Sequence, residues 1–339
     1  MLNRIYRLTD IQYIEIIHRE VEFPPENIIV KPDYLSICAA DSRYYFGKRD
    51  RKVLNKKLPM ALIHEATGTV LYDCEGRLSS GTKVVLVPNI EGKSDFNVKG
   101  NYRKDSLFAS SSQDGFMQDV LSISRDRVIP IVGSYSPEYV LSELLSVAFN
   151  AVGSLKKAAV TPIENIGIWG DGSVAFVVAL AMRNVYPKCK IYVFGKHQKK
   201  LQHFSFAENT FFIDDIAKDL ELDHCFECVG GMGSEQAVNQ IIEFIKPQGT
   251  ISLLGVSENA ISIHTRKILD KGLILVGSSR SEKEDFRQAV ELIGKNEKIK
   301  KYLTTIISEM CEASSLESIY RAFELDRVSD FKTVMKWNV

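Results

Sequence analysis

Apolar positions change rhythm part-way along the chain. Up to about residue 130 they fall in short runs rich in β-branched residues and punctuated by Gly or Pro. Residues 27–32 (Asn-Ile-Ile-Val-Lys-Pro), 66–72 and 81–88 read as strands of a small antiparallel barrel. Residues 115–121 read as one more strand, and the polar stretch 89–113 as a loop or lobe. Residues 136–155 then show helical spacing. From residue 165 strands and helices alternate. Strands are predicted at 166–169, 191–194, 211–213, 224–228, 250–255 and 273–277, with helices at 174–185 and 234–245. Such alternation predicts a parallel, doubly wound sheet. From about residue 282 the pattern is mostly helical, and 331–337 reads as a strand returning to the first domain. The expected fold class is α/β with three segments: a catalytic domain over 1–148, a dinucleotide-binding domain over 149–281, and a returning segment over 282–339.

Composition narrows the function classes. A chain of 339 residues is comfortable for two cores, and 45% hydrophobic with 25% charged residues is ordinary for a globular protein. The 43 basic and 43 acidic side chains cancel, so no global field attracts nucleic acid or an anionic membrane. The N-terminus has no apolar signal region and no apolar run reaches membrane-spanning length, which sets the expectation of a cytoplasmic protein. Six scattered cysteines fit reduced thiols better than a disulfide framework.

The first candidate chemistry is a loop. Strand 166–169 feeds into Gly170-Asp171-Gly172-Ser173-Val174-Ala175, and a helix follows. Gly170 permits the tight turn, Gly172 lets a pyrophosphate approach the backbone, and Ala175 allows close helix–strand packing, with Ser173 and Val174 opening the helix whose N–H groups would face phosphate. An acidic residue normally ends the second strand of such a unit and grips the ribose 2′-hydroxyl of NAD. Here the strand ends in Gly195-Lys196-His197. The missing carboxylate and the added Lys196 predict NADP(H).

The second candidate is a set of metal-ligand types. Cys38, His64 and Glu143 offer sulfur, nitrogen and oxygen, with Glu65 beside His64, and Zn2+ accepts such mixed sets while leaving a position open for substrate. The ligands lie far apart in sequence, so spacing alone is a weak signal. Cys225 and Cys228 form a C-x-x-C pair, but alternation within a strand sends them to opposite faces, which argues against a metal or redox role.

Cys38, His64-Glu65, the 68–70 and 81–85 runs, Glu143 with 144–148 and the glycine loop occur in an order that resembles medium-chain zinc alcohol and polyol dehydrogenases over nearly the whole chain. The resemblance implies a GroES-like barrel carrying the catalytic zinc and a Rossmann domain carrying the cofactor. It implies that Cys38, His64 and Glu143 ligate one zinc per chain, with Glu65 a fourth ligand or the holder of its water. It marks Gly255 as a further cofactor contact, and Tyr44 and Arg280 as contacts to sugar hydroxyls. Segments 36–41, 168–172, 192–196, 226–231, 254–257 and 277–281 are similar, more narrowly, to bacterial ribulose-5-phosphate reductases. That implies NADPH-dependent reduction of ribulose 5-phosphate, a phosphorylated pentulose, to ribitol 5-phosphate for teichoic acid or capsule synthesis. It also implies work beside a ribitol-5-phosphate cytidylyltransferase and, by family habit, a homodimer. Dehydrogenation of another polyol or sugar with NADP remains open, as does a non-catalytic cofactor-sensing subunit.

Two departures from the wider pattern matter. Ala40 stands where relatives carry a relay hydroxyl, so the product's proton must travel by water, substrate, Glu65 or a side chain such as Ser42. The 89–113 stretch holds no cysteine, so the four-cysteine structural zinc of many relatives is not expected. The basic run 48–52 is a candidate for meeting a substrate phosphate through Arg49 and Arg51.

Overall fold

Strands dominate the first of two units into which the chain divides, Met1–Ser146 together with Ser281–Val339; the second is Val147–Arg280. The computed structural model describes residues 2–217 and 219–339. No helix among the described residues is long and apolar enough to cross a membrane.

In the first unit a seven-stranded sheet runs in the order Val128–Pro130, Lys83–Leu86, Glu65–Asp73, Asn27–Ser36, Lys332–Trp337, Ile307–Ala313, with Leu121–Ser124 also paired to Asn27–Ser36. A three-stranded sheet, Tyr13–Glu20, Leu2–Asp10 and Met60–Ala61, stands beside it. Ile28, Val30, Leu35, Val70, Val84 and Leu86 form part of a buried core. This is the barrel the alternating runs predict.

Two stretches differ from expectation. Residues 115–120 are not a strand. Gly115 and Phe116 donate backbone N–H groups to Ala61 and Ile63 carbonyls at 2.7 and 2.8 Å, and Phe116 and Met117 are buried in succession rather than alternately. The strand begins only at Leu121. The tail also contains the strand Ile307–Ala313, which the mostly helical reading from 282 overlooks. It lies at the sheet edge, and Glu309 and Met310 face solvent, so it lacks the apolar run of a buried strand.

The 89–113 lobe is stapled by polar groups. The Arg103 guanidinium donates to the Gly92, Asp95 and Val98 carbonyls, while the Asp105 carboxylate accepts from the Lys93 and Ser94 backbone N–H groups. These bonds satisfy the turns of a segment with little core of its own.

A second ionic staple yields a pH prediction. Asp73 ends the strand Glu65–Asp73, and its buried carboxylate meets Arg125 Nη2 at 2.6 Å. The Arg125 hydrogen bond, helped by the Leu78 and Glu75 backbone N–H groups, pushes its pKa down to about 2. A depressed carboxylate stabilises the fold above its unfolded pKa, and that contribution fades as pH falls towards the folded value. The stability gap between wild type and Asp73→Asn should therefore hold constant above about pH 5 and close between about pH 4 and 2. Urea midpoints across that range check it; a gap independent of pH would remove Asp73 from the acid response.

The second unit is one six-stranded parallel sheet in the order Asn209–Phe212, Lys190–Gly195, Asn165–Trp169, Leu222–Glu227, Ile245–Leu253, Ile274–Gly277. Strand order reverses between Asn165–Trp169 and Leu222–Glu227, the place where doubly wound sheets open a crevice at their carboxyl ends. Trp169 stacks on Phe194 with centroids 4.0 Å apart, and its indole N–H donates to Gln240 Oε1 at 3.1 Å. A stacked, hydrogen-bonded indole of this kind fixes the floor beneath the crevice.

Candidate active site

Cys38 sits where the strand Asn27–Ser36 gives way to the helix Ala39–Tyr45, and it caps that helix. Asp41, in the first turn, has a fully buried carboxylate with four donors or donor candidates around it. It accepts from Cys38 N–H at 3.2 Å, Ile63 N–H at 3.0 Å and the Ser110 hydroxyl at 2.5 Å, and its Oδ2 lies 3.4 Å from His64 Nδ1. Ser110 Oγ is also 3.1 Å from His64 Nδ1. With Nδ1 engaged, Nε2 is the nitrogen left for a metal, the arrangement by which a carboxylate fixes a ligating imidazole. Ile63 and Ser110 hold positive φ of 70 and 60 degrees. For a β-branched residue such backbone costs about 1–3 kcal/mol, and here it turns the chain so that His64 faces Cys38.

Cys38, His64 and Glu65 present ligand atoms all within 4.8 Å of one another. Glu65 Oε1 accepts from Lys332 Nζ at 2.7 Å, with both side chains buried, while Glu65 Oε2 is buried with no hydrogen-bond partner. An orphaned carboxylate oxygen beside a thiol and an imidazole fits a cation, and this mix of soft and borderline donors suits zinc. Glu143 lies outside that trio, although it is buried and shares an electrostatic neighbourhood with His64, Glu65 and Lys332. Burial pushes its carboxyl up to about 7. Burial alone would pull the Lys332 ammonium down, but Glu65, Cys38 and Asp326 together outweigh it and the net shift is upward. Burial likewise opposes a charged His64, yet Asp41 and Cys38 raise it well above an ordinary imidazole. The His64 and Lys332 shifts reflect acidic neighbours that favour positive charge there, whereas the Glu143 shift comes chiefly from burial.

Lys332 is the participant that sequence reading missed. It lies on the returning strand Lys332–Trp337, and its partner is 267 residues away. Ser42, a relay candidate, instead donates its hydroxyl to Asp326 Oδ2 at 2.6 Å. Tyr44 is buried, and the Arg49 guanidinium carbon lies 5.0 Å over its ring. Arg51 opens the next helix on the surface. Phe108 packs against the His64 ring at 5.2 Å.

In the parallel-sheet unit the glycine loop borders a cavity of about 280 Å³ lined by Gly170, Asp171, Gly172, Gly195, Lys196 and His197, with Cys228, Val229 and Gly233 opposite. Gly170 has φ of +125 degrees, and a Cβ there would crowd the Cys228 carbonyl at 3.0 Å. Gly172 caps the helix Ser173–Val185 with open space before it, and Ser173 and Val174 form its half-buried first turn. The turn after Lys190–Gly195 does meet a carboxylate after all, though not its own: Asp171 Oδ2 accepts from the Lys196 and His197 N–H groups at 2.7 and 2.8 Å and lies 3.0 Å from His197 Nδ1. Those donors absorb its charge. Lys196 Nζ reaches Gln236 Oε1 at 3.3 Å. Gly255 does not line the cavity; its N–H donates to Glu227. Arg280 belongs to this unit, at φ of 61 degrees, with its carbonyl accepting from Asn150 at 2.7 Å. Burial pushes the Cys225 and Cys228 thiols up, and among the described residues the cluster of potential metal ligands is Cys38, His64 and Glu65.

Residues 24–133 match the alcohol dehydrogenase GroES-like domain, and residues 177–295 match the zinc-binding dehydrogenase domain. Ribulose-5-phosphate reductase 1 of Staphylococcus aureus is 43% identical over 99% of both chains. The ribulose-5-phosphate reductase of Streptococcus pneumoniae is 42% identical, spanning 100% of this chain and 98% of the relative. The crystal structure of S. aureus TarJ in complex with NADPH superposes with a TM-score of 0.89 at 40% identity, covering 100% of both chains.

Proposed function

The chain belongs to the ribulose-5-phosphate reductases within the zinc-binding dehydrogenases, and from that premise we propose that it reduces the C2 carbonyl of D-ribulose 5-phosphate to D-ribitol 5-phosphate with NADPH. The observation that carries this reading is the Cys38–His64–Glu65 cluster with its orphaned carboxylate oxygen, in a chain 43% identical to a ribulose-5-phosphate reductase. When bound, zinc supplies a Lewis acid for a carbonyl oxygen and NADPH supplies the hydride. The chain's own work is placement. Cys38 and His64 would hold the metal together with Glu143, which the family resemblance adds to the trio, and Glu65 would serve as a further ligand or as the acceptor for its water. Asp41 orients the imidazole, and Lys332 engages Glu65 Oε1, leaving Oε2 as the oxygen that would be offered to the metal or its water. Gly170, Asp171, Gly172, Ser173 and Val174 present backbone to the pyrophosphate, and Lys196 meets the 2′-phosphate. Tyr44 and Arg280 take the sugar hydroxyls. Ala40 offers no hydroxyl and that of Ser42 is bonded to Asp326, so the product's proton comes from water, the sugar itself or Glu65.

NADPH oxidation with ribulose 5-phosphate, ribulose and xylulose, run beside metal analysis, tests this reading. The phosphorylated pentulose should win by a wide margin; equal or better turnover of another sugar would transfer the proposal to that polyol, and none at all would favour a cofactor-sensing subunit. Lys196→Ala should raise KM for NADPH about tenfold, the size of one lost charge-assisted contact, and leave KM for NADH unchanged. Removing both cations at Arg49 and Arg51 should raise KM for ribulose 5-phosphate about tenfold or more and spare ribulose. Equal effects on both sugars would end the phosphate role.

The same proposal extends to assembly and place. The edge strand Ile274–Gly277 leaves Ile274, Leu275 and Val276 only half buried, a template for a second copy of the chain. Light scattering should give a dimer that Val276→Lys dissociates; a wild-type monomer would remove it. The ribitol phosphate product suits a ribitol-5-phosphate cytidylyltransferase on the way to teichoic acid or capsule polymer, testable by co-purification. Six unpaired thiols suit the reducing cytoplasm, which cell fractionation checks.

A further inference from the structure

Ser281 closes the run Gly277-Ser278-Ser279-Arg280-Ser281, at the point where the chain re-enters the first unit. It is 1% exposed. Its hydroxyl lies 2.7 Å from the Ser146 hydroxyl, and Ser146, fully buried, donates at 2.6 Å to the Glu143 carbonyl. A hydroxyl has a single hydrogen, and Ser146 spends its own on Glu143, so Ser281 is the donor to Ser146. The result is a directed chain of hydroxyls from Ser281 through Ser146 to the backbone of Glu143. Its outer end is anchored as well. The Ser281 carbonyl accepts from the side-chain amide of Asn89, a buried residue of the short strand Asn89–Ile90.

We propose that Ser281 is a positioning residue for Glu143, acting through Ser146; the proposal rests on the reading of Glu143 as a metal ligand. Cys38 follows the strand Asn27–Ser36, and His64 and Glu65 stand at the start of the strand paired with it, so the barrel itself brings their ligand atoms within 4.8 Å. Glu143 comes from another element, the first turn of the helix Ser142–Ala158. The tilt of that turn decides where its carboxylate points. A serine hydroxyl bonded back to a carbonyl one turn earlier competes with the helix ladder and bends the helix locally. Here Ser281 holds the Ser146 hydroxyl from outside the helix, so the turn keeps one setting. Removing either hydroxyl leaves a buried partner unsatisfied and frees the turn to relax.

The test is metal binding rather than turnover. Ser281→Ala should raise the dissociation constant for zinc about fivefold and Ser146→Ala about tenfold, the low end of the cost of losing a group that orients a ligand. In the cobalt-substituted protein both should shift the visible absorption bands, which report ligand geometry. Because one hydroxyl acts through the other, adding Ser281→Ala to Ser146→Ala should weaken zinc by less than about twofold more. Asp73→Asn, at the far end of the strand that begins with Glu65, controls for lost stability alone, and should keep wild-type zinc affinity and cobalt bands. Glu143→Ala reports on the underlying reading. If it leaves zinc affinity unchanged, Glu143 is no ligand and the positioning role falls with it. If it weakens zinc and Ser281→Ala does not, only the role of Ser281 falls. Fully additive losses from the two serines would also overturn the proposal, by showing that they act separately. Should Ser281→Ala not fold by circular dichroism, Ser281→Gly, which also lacks the hydroxyl, carries the same expectations.

Discussion

Cys38→Ser should abolish turnover with ribulose 5-phosphate, by about a thousandfold or more, and should carry most of the bound zinc away with it. The size follows from what the thiolate does. It is the only soft donor in a cluster whose other members are an imidazole and carboxylates, and soft sulfur is what tilts such a set towards zinc. A serine hydroxyl stays protonated at neutral pH and offers a weak oxygen in its place. Losing a Lewis acid that stabilises a developing alkoxide costs several kcal/mol of barrier, and each 1.4 kcal/mol is tenfold in rate. NADPH affinity should survive, because the cavity beside Gly170 is built from the other unit's own residues. Cys74→Ser is the control: that thiol is exposed and outside the cluster, so zinc content and rate should match wild type. Metal analysis and steady-state rates on the three proteins settle the matter. Full activity in Cys38→Ser, or in wild type verified free of metal, would leave the cluster without its proposed role.

How much of this was readable beforehand depends on the range of the interaction involved. The glycine loop was legible because strand, turn and helix are contiguous, and their geometry is dictated within about twenty residues of sequence. The parallel sheet was legible for the same reason, each βα step announcing itself by a change of period. Cys38, His64 and Glu65 were legible as residue types, but only resemblance joined them, since folding and not spacing brings their ligand atoms within 4.8 Å. Asp41 was in plain view three residues after Cys38, and a carboxylate at that offset caps the short helix while reaching His64; its signal was local and went unused. Lys332 offered no local signal at all. Within its strand it looks like a surface lysine, and only the 267-residue contact with Glu65 reveals why it tolerates burial. The stretch 115–120 misled for the opposite reason: its β-like composition is real, but Asp114, bonded to Arg7 and to the Ala61 N–H, pins it to the 61–63 segment before it can enter a sheet.

That buried pair supports the second large effect. Lys332→Met should destabilise the metal-stripped protein by about 3–5 kcal/mol, the cost of leaving one partner of a buried ion pair uncompensated. Glu65 would be the stranded charge, with one oxygen already unpartnered and the other newly so. Zinc should recover part of the loss, because a dication beside Glu65 replaces the missing ammonium, and a ligand that binds only the folded state adds its binding energy to stability. Lys332→Arg keeps the charge and should lose far less. The double variant Lys332→Met with Glu65→Gln removes both charges, so it should regain much of the stability of the stripped protein while zinc retention and turnover stay low. Urea unfolding of the four proteins, each with and without zinc, separates these contributions. A metal-stripped Lys332→Met as stable as wild type would mean that the pair is already neutralised by a shared proton, and that Lys332 does not hold Glu65 in its charged form for the metal.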